Sequence, residues 1–134
     1  MWVNPLVEAG HYLDMINIMS YDAGPYVLYD TREKWDAVFN PVEAYKAYRN
    51  IYKGVLNIGI ESPPEAWGGN IVKEGDIKAM ANAVTANNND KDGLFIWSLQ
   101  KWASGGMKTK SIMETMCKDL GFKNCTGAQG ELPK

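Results

Sequence analysis

Three apolar runs in the sequence each end on side chains that can bind a ligand. The first run ends at Ser20-Tyr21-Asp22, which supplies a hydroxyl, a phenol and a carboxylate in succession. The second ends at Glu61, just before a pair of prolines, and the third ends at Trp97. Hydroxyls and carboxylates hydrogen-bond a polar ligand, and aromatic rings, abundant here as 5 Trp and 7 Tyr, also stack on sugars. The ends of these runs are therefore the first candidates for a functional site.

The apolar runs predict three buried β-strands, at about residues 13–20, 55–60 and 93–99. Each run is apolar throughout instead of alternating with polar residues, which is typical of parallel strands covered on both faces. A helical pattern follows each strand, so the order predicts a parallel α/β sheet with right-handed crossovers. Because ligands of such proteins bind at the carboxyl ends of the strands, the three polar ends should lie on one functional edge.

The helix after the first strand has a well-marked start at Asn40-Pro41. Asn40 is a favourable N-cap, Pro41 suits the first helical position, and Glu43 stands within reach of a capping-box role. Gly54 is placed to end this helix. Three tyrosines at helical spacing predict its buried face: Tyr45, Tyr48 and Tyr52.

Two further helices are predicted at residues 76–87 and 109–120, and Gly121 is placed to end the second. Apolar residues at helical spacing predict their buried faces: Ile77, Met80, Ala81, Val84, Ile112, Met113, Met116 and Leu120. A shorter helical turn is predicted to begin at Asn4-Pro5 and to end at Gly10.

Length and composition predict one globular domain with a sizeable core. The chain has 134 residues, 46% of them apolar, and its net charge of -2 gives no reason to expect nucleic acid or an anionic membrane as a partner. No apolar stretch approaches the roughly 20 residues needed to cross a bilayer. The first residues lack the basic start and apolar block of a signal peptide.

The two cysteines, Cys117 and Cys125, lie close together near the end of the sequence. They either form a disulfide that closes a short loop, which implies an oxidising compartment, or remain two unpaired thiols. Together with the single His11 they are too few and too far apart for a metal site, and we expect no metal and no cofactor.

Three segments, taken in order, resemble the last strands of the family 18 glycoside hydrolases, the chitinases. Residues 19–22 (MSYD) resemble the Met-x-Tyr-Asp motif on the sixth strand of that family's TIM barrel. Residues 55–69 (VLNIGIESPPEAWGG) are similar to the seventh strand and its loop in bacterial chitinases. Residues 94–99 (LFIWSL) are similar to the eighth strand, which ends in a tryptophan. Order and spacing both fit the family.

The resemblance implies that residues 1–122 are the C-terminal part of a TIM (β/α)8 barrel, with strands six to eight, and that residues 123–134 are a polar tail. The family carries its catalytic glutamate in an Asp-x-x-Asp-x-Asp-x-Glu pattern, and none of the 16 acidic residues here lies in one. A full barrel takes about 250 residues. We therefore expect a fragment of a secreted chitinase, inactive alone, whose parent hydrolyses β-1,4-linked N-acetylglucosamine polymers.

In this family the substrate's own 2-acetamido oxygen attacks the anomeric carbon while the glutamate protonates the leaving oxygen. The resemblance gives Tyr21 a supporting catalytic role, hydrogen-bonding the acetamido carbonyl, and Asp22 the role of contacting the sugar and setting the local charge. Trp97 is expected to form the apolar floor under that sugar. Three further residues are substrate-binding candidates, although the family gives Glu61 and Trp67 no fixed role: Met19, Glu61 and Trp67.

Alternatives remain at both levels. Tyr21 and Asp22 could form only a strand-end turn, and Trp97 and Trp67 could serve only packing. The whole protein could be a lectin-like barrel that binds chitin without cleaving it, or an independent half-barrel, which is disfavoured because its first strand would leave an open edge. The expected partners are N-acetylglucosamine oligomers, the other half of the barrel and, at the open edge, a second copy of the chain.

Overall fold

The computed structural model describes residues 3–21, 40–63, 71–86, 91–99 and 106–126. The elements, in chain order, are α1 (Val3–Ala9), a 3-10 turn (Gly10–Tyr12), β1 (Met15–Ile18), α2 (Pro41–Ile51), β2 (Val55–Glu61), α3 (Glu74–Thr85), β3 (Gly93–Trp97) and α4 (Thr109–Asp119).

The three strands form one parallel sheet in the order β1-β2-β3. Asn57 is the reference point of the register, since it pairs with Asn17 on β1 and with Gly93 on β3. A parallel pair needs a long crossover connection, and α2 and α3 each lie in the connection between neighbouring strands. The prediction of a parallel α/β sheet with alternating strands and helices is therefore confirmed.

Helix α2 begins as its sequence predicts but ends earlier. The Asn40 side chain accepts hydrogen bonds from the backbone N–H groups of Val42 (2.9 Å) and Glu43 (3.3 Å), so the N-cap is formed. Glu43, predicted to take part in a capping box, pairs with the Lys46 ammonium at 2.7 Å. Gly54 does not end the helix, because Tyr52 is already extended, with φ -120° and ψ 134°.

The other two helices differ from prediction by one or two residues. Helix α3 starts at Glu74, because the Asp76 carboxylate accepts a hydrogen bond from the Lys73 N–H (2.9 Å) and so belongs to the first turn. Helix α4 ends at Asp119, and Gly121 follows at φ +80°. The Phe122 N–H then bonds the Cys117 carbonyl at 3.0 Å, which closes a Schellman motif.

Cys117 and Cys125 form a disulfide whose Cα atoms lie 5.5 Å apart. This is one of the two states that the sequence left open. The bond ties the last turn of α4 to the backbone that follows it, so the helix end is held by both the Schellman motif and a covalent link.

The outer strands are shorter than the apolar runs that predict them. Strand β1 covers residues 15–18 instead of 13–20, because the Leu13 N–H bonds the Gly10 carbonyl and the Ser20 N–H bonds the Ile18 carbonyl. Strand β3 ends at Trp97 instead of 99, whereas β2 runs one residue further than predicted, to Glu61.

The hydrophobic core takes its strand residues from one face of the sheet. That face carries residues of all three strands, and they pack with the buried residues of α2, α3 and α4: Ile16, Ile18, Leu56, Ile58, Ile60, Leu94 and Ile96. The predicted inward residues of α3 are all buried, but Met113 on α4 is 45% exposed. Tyr45 and Tyr52 are buried, and Tyr48 packs at the margin of the core.

We call the opposite side of the sheet the open face, formed by the alternate strand residues: Met15, Asn17, Val55, Asn57, Gly59, Glu61, Gly93, Phe95 and Trp97. Met15 and Trp97 are about half exposed there. The Asn57 amide donates to the Asn17 side-chain oxygen at 2.9 Å, so part of this face is polar. Gly59 and Glu61 on this face are buried, whereas Met15, Asn17 and Trp97 are exposed, so the expectation that both faces are covered is met only in part.

Candidate functional site

The carboxyl ends of the three strands lie side by side, as a parallel sheet requires. Glu61 at the end of β2 is the register partner of Trp97 at the end of β3. The next residue, Ser62, donates its backbone N–H to the Trp97 carbonyl at 2.6 Å. Two of the predicted site residues are thus neighbours across adjacent strands, and the chain beyond β2 is fastened to the end of β3.

Tyr21 follows β1, and its side chain extends across the neighbouring strands β2 and β3. Its ring meets the Phe95 ring edge to face, with centroids 6.3 Å apart and planes at 65°. Such T-shaped pairs are favoured by the ring quadrupoles. Gly59 on β2 lies beneath both rings, and a Cβ placed on it would be 2.5 Å from Tyr21 Cε1 and 2.6 Å from Phe95 Cζ. One aromatic pair therefore spans all three strands.

The candidate residues differ sharply in exposure. Trp97 is 55% exposed and Met19 is 64% exposed, so each presents an apolar surface to solvent at the edge. Glu61 is only 2% exposed. Tyr21 lies between these extremes, and its hydroxyl oxygen is shielded from solvent. An exposed indole beside a buried carboxylate combines a stacking surface with a hydrogen-bond acceptor.

Polar side chains are buried at this edge although burial of polar groups is costly. Ser20, Glu61 and Ser62 are all buried, at the ends of β1 and β2. The Ser62 hydroxyl lies 3.1 Å from the Thr109 hydroxyl at the start of α4. The Ser20 hydroxyl has no hydrogen-bond partner among the described residues. A hydroxyl buried without a partner costs roughly 1–3 kcal/mol, which folded proteins tolerate mainly where the group has a use.

The backbone behind the site is closely packed. A Cβ on Gly106 would lie 2.7 Å from both Pro63 Cγ and Ile71 Cγ2. With the Ser62–Thr109 contact, this packing joins the residues that follow β2 to those that precede α4. The support of the candidate edge is therefore not confined to the strands themselves.

Two of the predicted site residues, Asp22 and Trp67, lie outside the described residues. The structure brings together Tyr21, Glu61 and Trp97, and it leaves Met19 as an exposed side chain next to the end of β1. Sequence reasoning did not select Gly59 or Phe95. The signal for Gly59 was present, since a lone glycine inside a strand often marks a close approach of another group.

The described residues contain no group of three or more His, Cys, Asp or Glu side chains placed to hold a metal ion. Within the same ranges, no helix has the length and apolar character needed to span a membrane.

Comparison of the chain with protein-family models, with curated proteins and with solved structures finds no match. The site must therefore be interpreted from its own residues and from the sequence motifs that they carry.

Proposed function

We propose that this chain is the C-terminal part of a TIM barrel of the family 18 glycoside hydrolases, and that it supplies the sugar-positioning residues of a chitinase. In this proposal β1, β2 and β3 are the sixth, seventh and eighth barrel strands. The observation that carries it is the juxtaposition of Tyr21, Glu61 and Trp97 at the carboxyl edge of one parallel sheet. Barrel enzymes place their active sites at this edge.

The proposed chemistry begins with the sugar's 2-acetamido group. Its carbonyl oxygen attacks the anomeric carbon as the bond to the leaving oxygen breaks, so it must be held in line while the acetamido group gains positive charge. Tyr21 can hold it in line by donating its phenolic O–H to that oxygen. This hydroxyl is shielded from solvent in the structure, so a bound sugar must displace the groups that cover it before the hydrogen bond forms, and the bond then gains strength because water is scarce there.

The remaining candidates would grip the sugar around this contact. Trp97 offers a half-exposed indole as the floor, and Met19 adds an apolar side chain at the neighbouring strand end. Glu61 would accept a hydrogen bond at the margin of the floor. By the resemblance, Asp22 sets the charge near the acetamido group, and Trp67 is a candidate for the wall of the site.

The open face of the sheet supports the proposal that a larger barrel surrounds it. In a barrel, the face without helices points inward and is covered by the other strands. Met15, Asn17 and Trp97 are exposed on that face, and β1 is an edge strand of the described sheet. The proposed partner is the other half of the barrel, and a second copy of the chain is the substitute that could pair with β1 when that half is absent. Secretion is proposed from the resemblance alone.

A binding-only barrel is the second candidate, since the same sugar-contacting residues would serve it equally well. The 134 residues contain no Asp-x-x-Asp-x-Asp-x-Glu pattern, so the chain holds groups for sugar binding but no residue that matches the catalytic acid. The two candidates share the same sugar contacts and differ only in whether the parent protein carries that glutamate.

The first experiment uses the purified chain, with a chromogenic chitobioside as substrate and N-acetylglucosamine tetramer as ligand. We expect no turnover, because general acid catalysis alone contributes roughly 10²–10⁴-fold, and weak binding that perturbs the Trp97 indole NMR signal. Turnover like that of an ordinary chitinase, surviving a control for contaminating enzyme, would contradict the assignment and point to Glu61 or Glu65 as the proton donor. Absence of any binding would contradict the sugar site itself.

A further inference from the structure

Gly59 lies on the open face directly beneath the contact between the Tyr21 and Phe95 rings. It lies in the interior of β2, where its register partner on β3 is Phe95. A Cβ at this position would come within 2.5 Å of the Tyr21 ring and within 2.6 and 2.9 Å of two atoms of the Phe95 ring. Contacts of that length between carbon atoms fall far below the optimal separation of about 3.5–4.0 Å.

The backbone does not explain why this residue is glycine. Among the described residues, Gly121 is the glycine with a positive φ, so Gly59 has a backbone conformation that any residue can adopt. Glycine inside a strand costs roughly 0.5–1 kcal/mol relative to alanine. The gain that offsets this cost is space, since the missing side chain lets the Tyr21 ring pass close over β2 and meet Phe95.

We propose that Gly59 is a positioning residue that sets where the Tyr21 hydroxyl stands, and that it thereby determines selectivity for N-acetylated sugars. This inference rests on the proposed function. Any side chain at position 59 must displace the Tyr21 ring, the Phe95 ring or both. Relief of the 2.5 Å contact to the optimal separation of about 3.5 Å requires the Tyr21 ring to move by roughly an ångström, which is enough to break a hydrogen bond to an acetamido carbonyl. The three atoms nearest to a Cβ at position 59 belong to Tyr21 and Phe95 and not to Trp97, so the substitution reaches the Trp97 floor only indirectly.

Selectivity separates the proposal from a general loss of structure. A β-1,4-linked glucose tetramer offers the same kind of ring for stacking on Trp97 but has no acetamido group. The Gly59→Ala variant should therefore weaken binding of the N-acetylglucosamine tetramer by about two- to tenfold, the size of one hydrogen bond, while binding of the glucose tetramer changes little. Both affinities are measured by NMR titration of the full chain, and the Tyr21–Phe95 ring contacts are monitored in the same spectra.

Two further variants complete the experiment. Gly75→Ala is the matched control, because a Cβ there meets nothing within 4 Å, and it should leave both affinities and the ring contacts unchanged. Phe95→Leu removes the ring that the Tyr21 edge contacts and leaves the glycine in place. It should lower the selectivity in the same direction, and it keeps the proposal testable if Gly59→Ala fails to fold.

The outcomes are distinguishable. Selectivity that falls with the ring contacts in Gly59→Ala supports the proposal. Selectivity that persists in Gly59→Ala and Phe95→Leu overturns the positioning role and leaves the proposed function standing. If the unaltered chain binds neither tetramer, or binds both equally, the proposed function fails and this inference is overturned with it.

Discussion

The two edges of the sheet use buried polar groups differently. At the amino edge the buried Asp92 carboxylate accepts several hydrogen bonds, whereas at the carboxyl edge buried polar groups lie beside the half-exposed indole of Trp97. The Asp92 side chain is fully buried and accepts hydrogen bonds from the Tyr45 hydroxyl (2.5 Å) and the Leu56 N–H (2.9 Å). Arg49 lies 3.5 Å away and also donates to the Gly54 carbonyl at 2.6 Å. These bonds join α2, β2 and the start of β3.

Burying polar groups costs free energy, and the two edges of the sheet differ in what offsets that cost. Around Asp92 the cost of burying the charge is offset by several hydrogen bonds, and the result is a fastening between elements. Ser20 and Glu61 are buried at the other edge, next to residues that present surface for a ligand. The hydrogen-bonded fastening lies at the amino edge and the proposed sugar site at the carboxyl edge, which is the usual division in parallel α/β proteins.

The largest expected effect comes from breaking the amino edge. Asp92→Ala should destabilise the chain by about 3–5 kcal/mol, because it leaves the Arg49 guanidinium and the Tyr45 hydroxyl without their buried acceptor. Urea unfolding followed by circular dichroism measures the change. Glu43→Ala is the control, since its ion pair with Lys46 is exposed and should contribute less than about 1 kcal/mol. If both substitutions lowered the unfolding free energy equally, the buried Asp92 network would contribute no more to stability than the exposed Glu43–Lys46 ion pair.

The disulfide tests how much a covalent link at the end of α4 adds to the stability of the chain. Helix α4 starts near the carboxyl edge, where Thr109 meets Ser62, and ends in the turn where Cys117 bonds Cys125. The bond spans a sequence separation of 8, so its loss in the double Cys→Ser variant should cost about 2–3 kcal/mol through the entropy of the unfolded chain. A midpoint in urea that is unchanged between oxidised and reduced protein would show that the helix end needs no covalent support.

Trp97→Ala tests the carboxyl edge with the opposite expectation. Binding of both sugar tetramers should weaken, and in an intact parent enzyme the loss of stacking should cost about 1–3 kcal/mol of transition-state stabilisation. Stability should fall by less than about 1 kcal/mol, because the side chain is already half exposed. Phe122→Ala, which removes another exposed ring, is the control for binding. A variant that unfolds while its remaining folded fraction binds normally would make Trp97 a core residue after all.

The smallest expected effect concerns Tyr52, which fastens β1 from the end of α2. Its hydroxyl donates to the Leu13 carbonyl at 2.6 Å. Burial raises the pKa of this phenol above its usual value of about 10, the Asp14 charge raises it further and Arg49 opposes the rise. The phenol's contribution to stability is therefore complete below about pH 10 and is lost as the pH rises through the folded-state pKa.

Tyr52→Phe should cost about 0.5–1.5 kcal/mol at neutral pH, the size of one hydrogen bond. The stability difference between the original chain and this variant should shrink above about pH 10, as measured by urea unfolding at several pH values. The other tyrosines titrate equally in both proteins and cancel in the difference. A difference that stays constant into the alkaline range would show that the phenol does not lose its proton more readily on unfolding.

The elements that were predictable from sequence depend on local chemistry. Asn40-Pro41 determines the start of α2, and Gly121 determines the end of α4, because caps need only neighbouring residues. The end of α2 was predicted wrongly at Gly54, since Tyr52 leaves the helix to reach Leu13, which is far away in sequence. The local sequence around Tyr52 does not indicate a hydrogen-bond partner as distant as Leu13.

The candidate site divides in the same way. Tyr21, Glu61 and Trp97 were identifiable because a polar or aromatic residue at the end of an apolar run is unusual within the run itself. Gly59 and Phe95 were not identified, because their importance arises only when three strands are brought into register. The residues that position a functional side chain are harder to predict than the functional residue itself, because their role depends on how separate elements pack together.

The order of the strands across the sheet is the same as their order along the chain. Each strand therefore meets the strand that precedes it after a single intervening connection, and β1 does not pair with β3. Each pairing therefore needs only one crossover connection to close, so the entropy lost in bringing each pair of strands together is kept low for a parallel sheet.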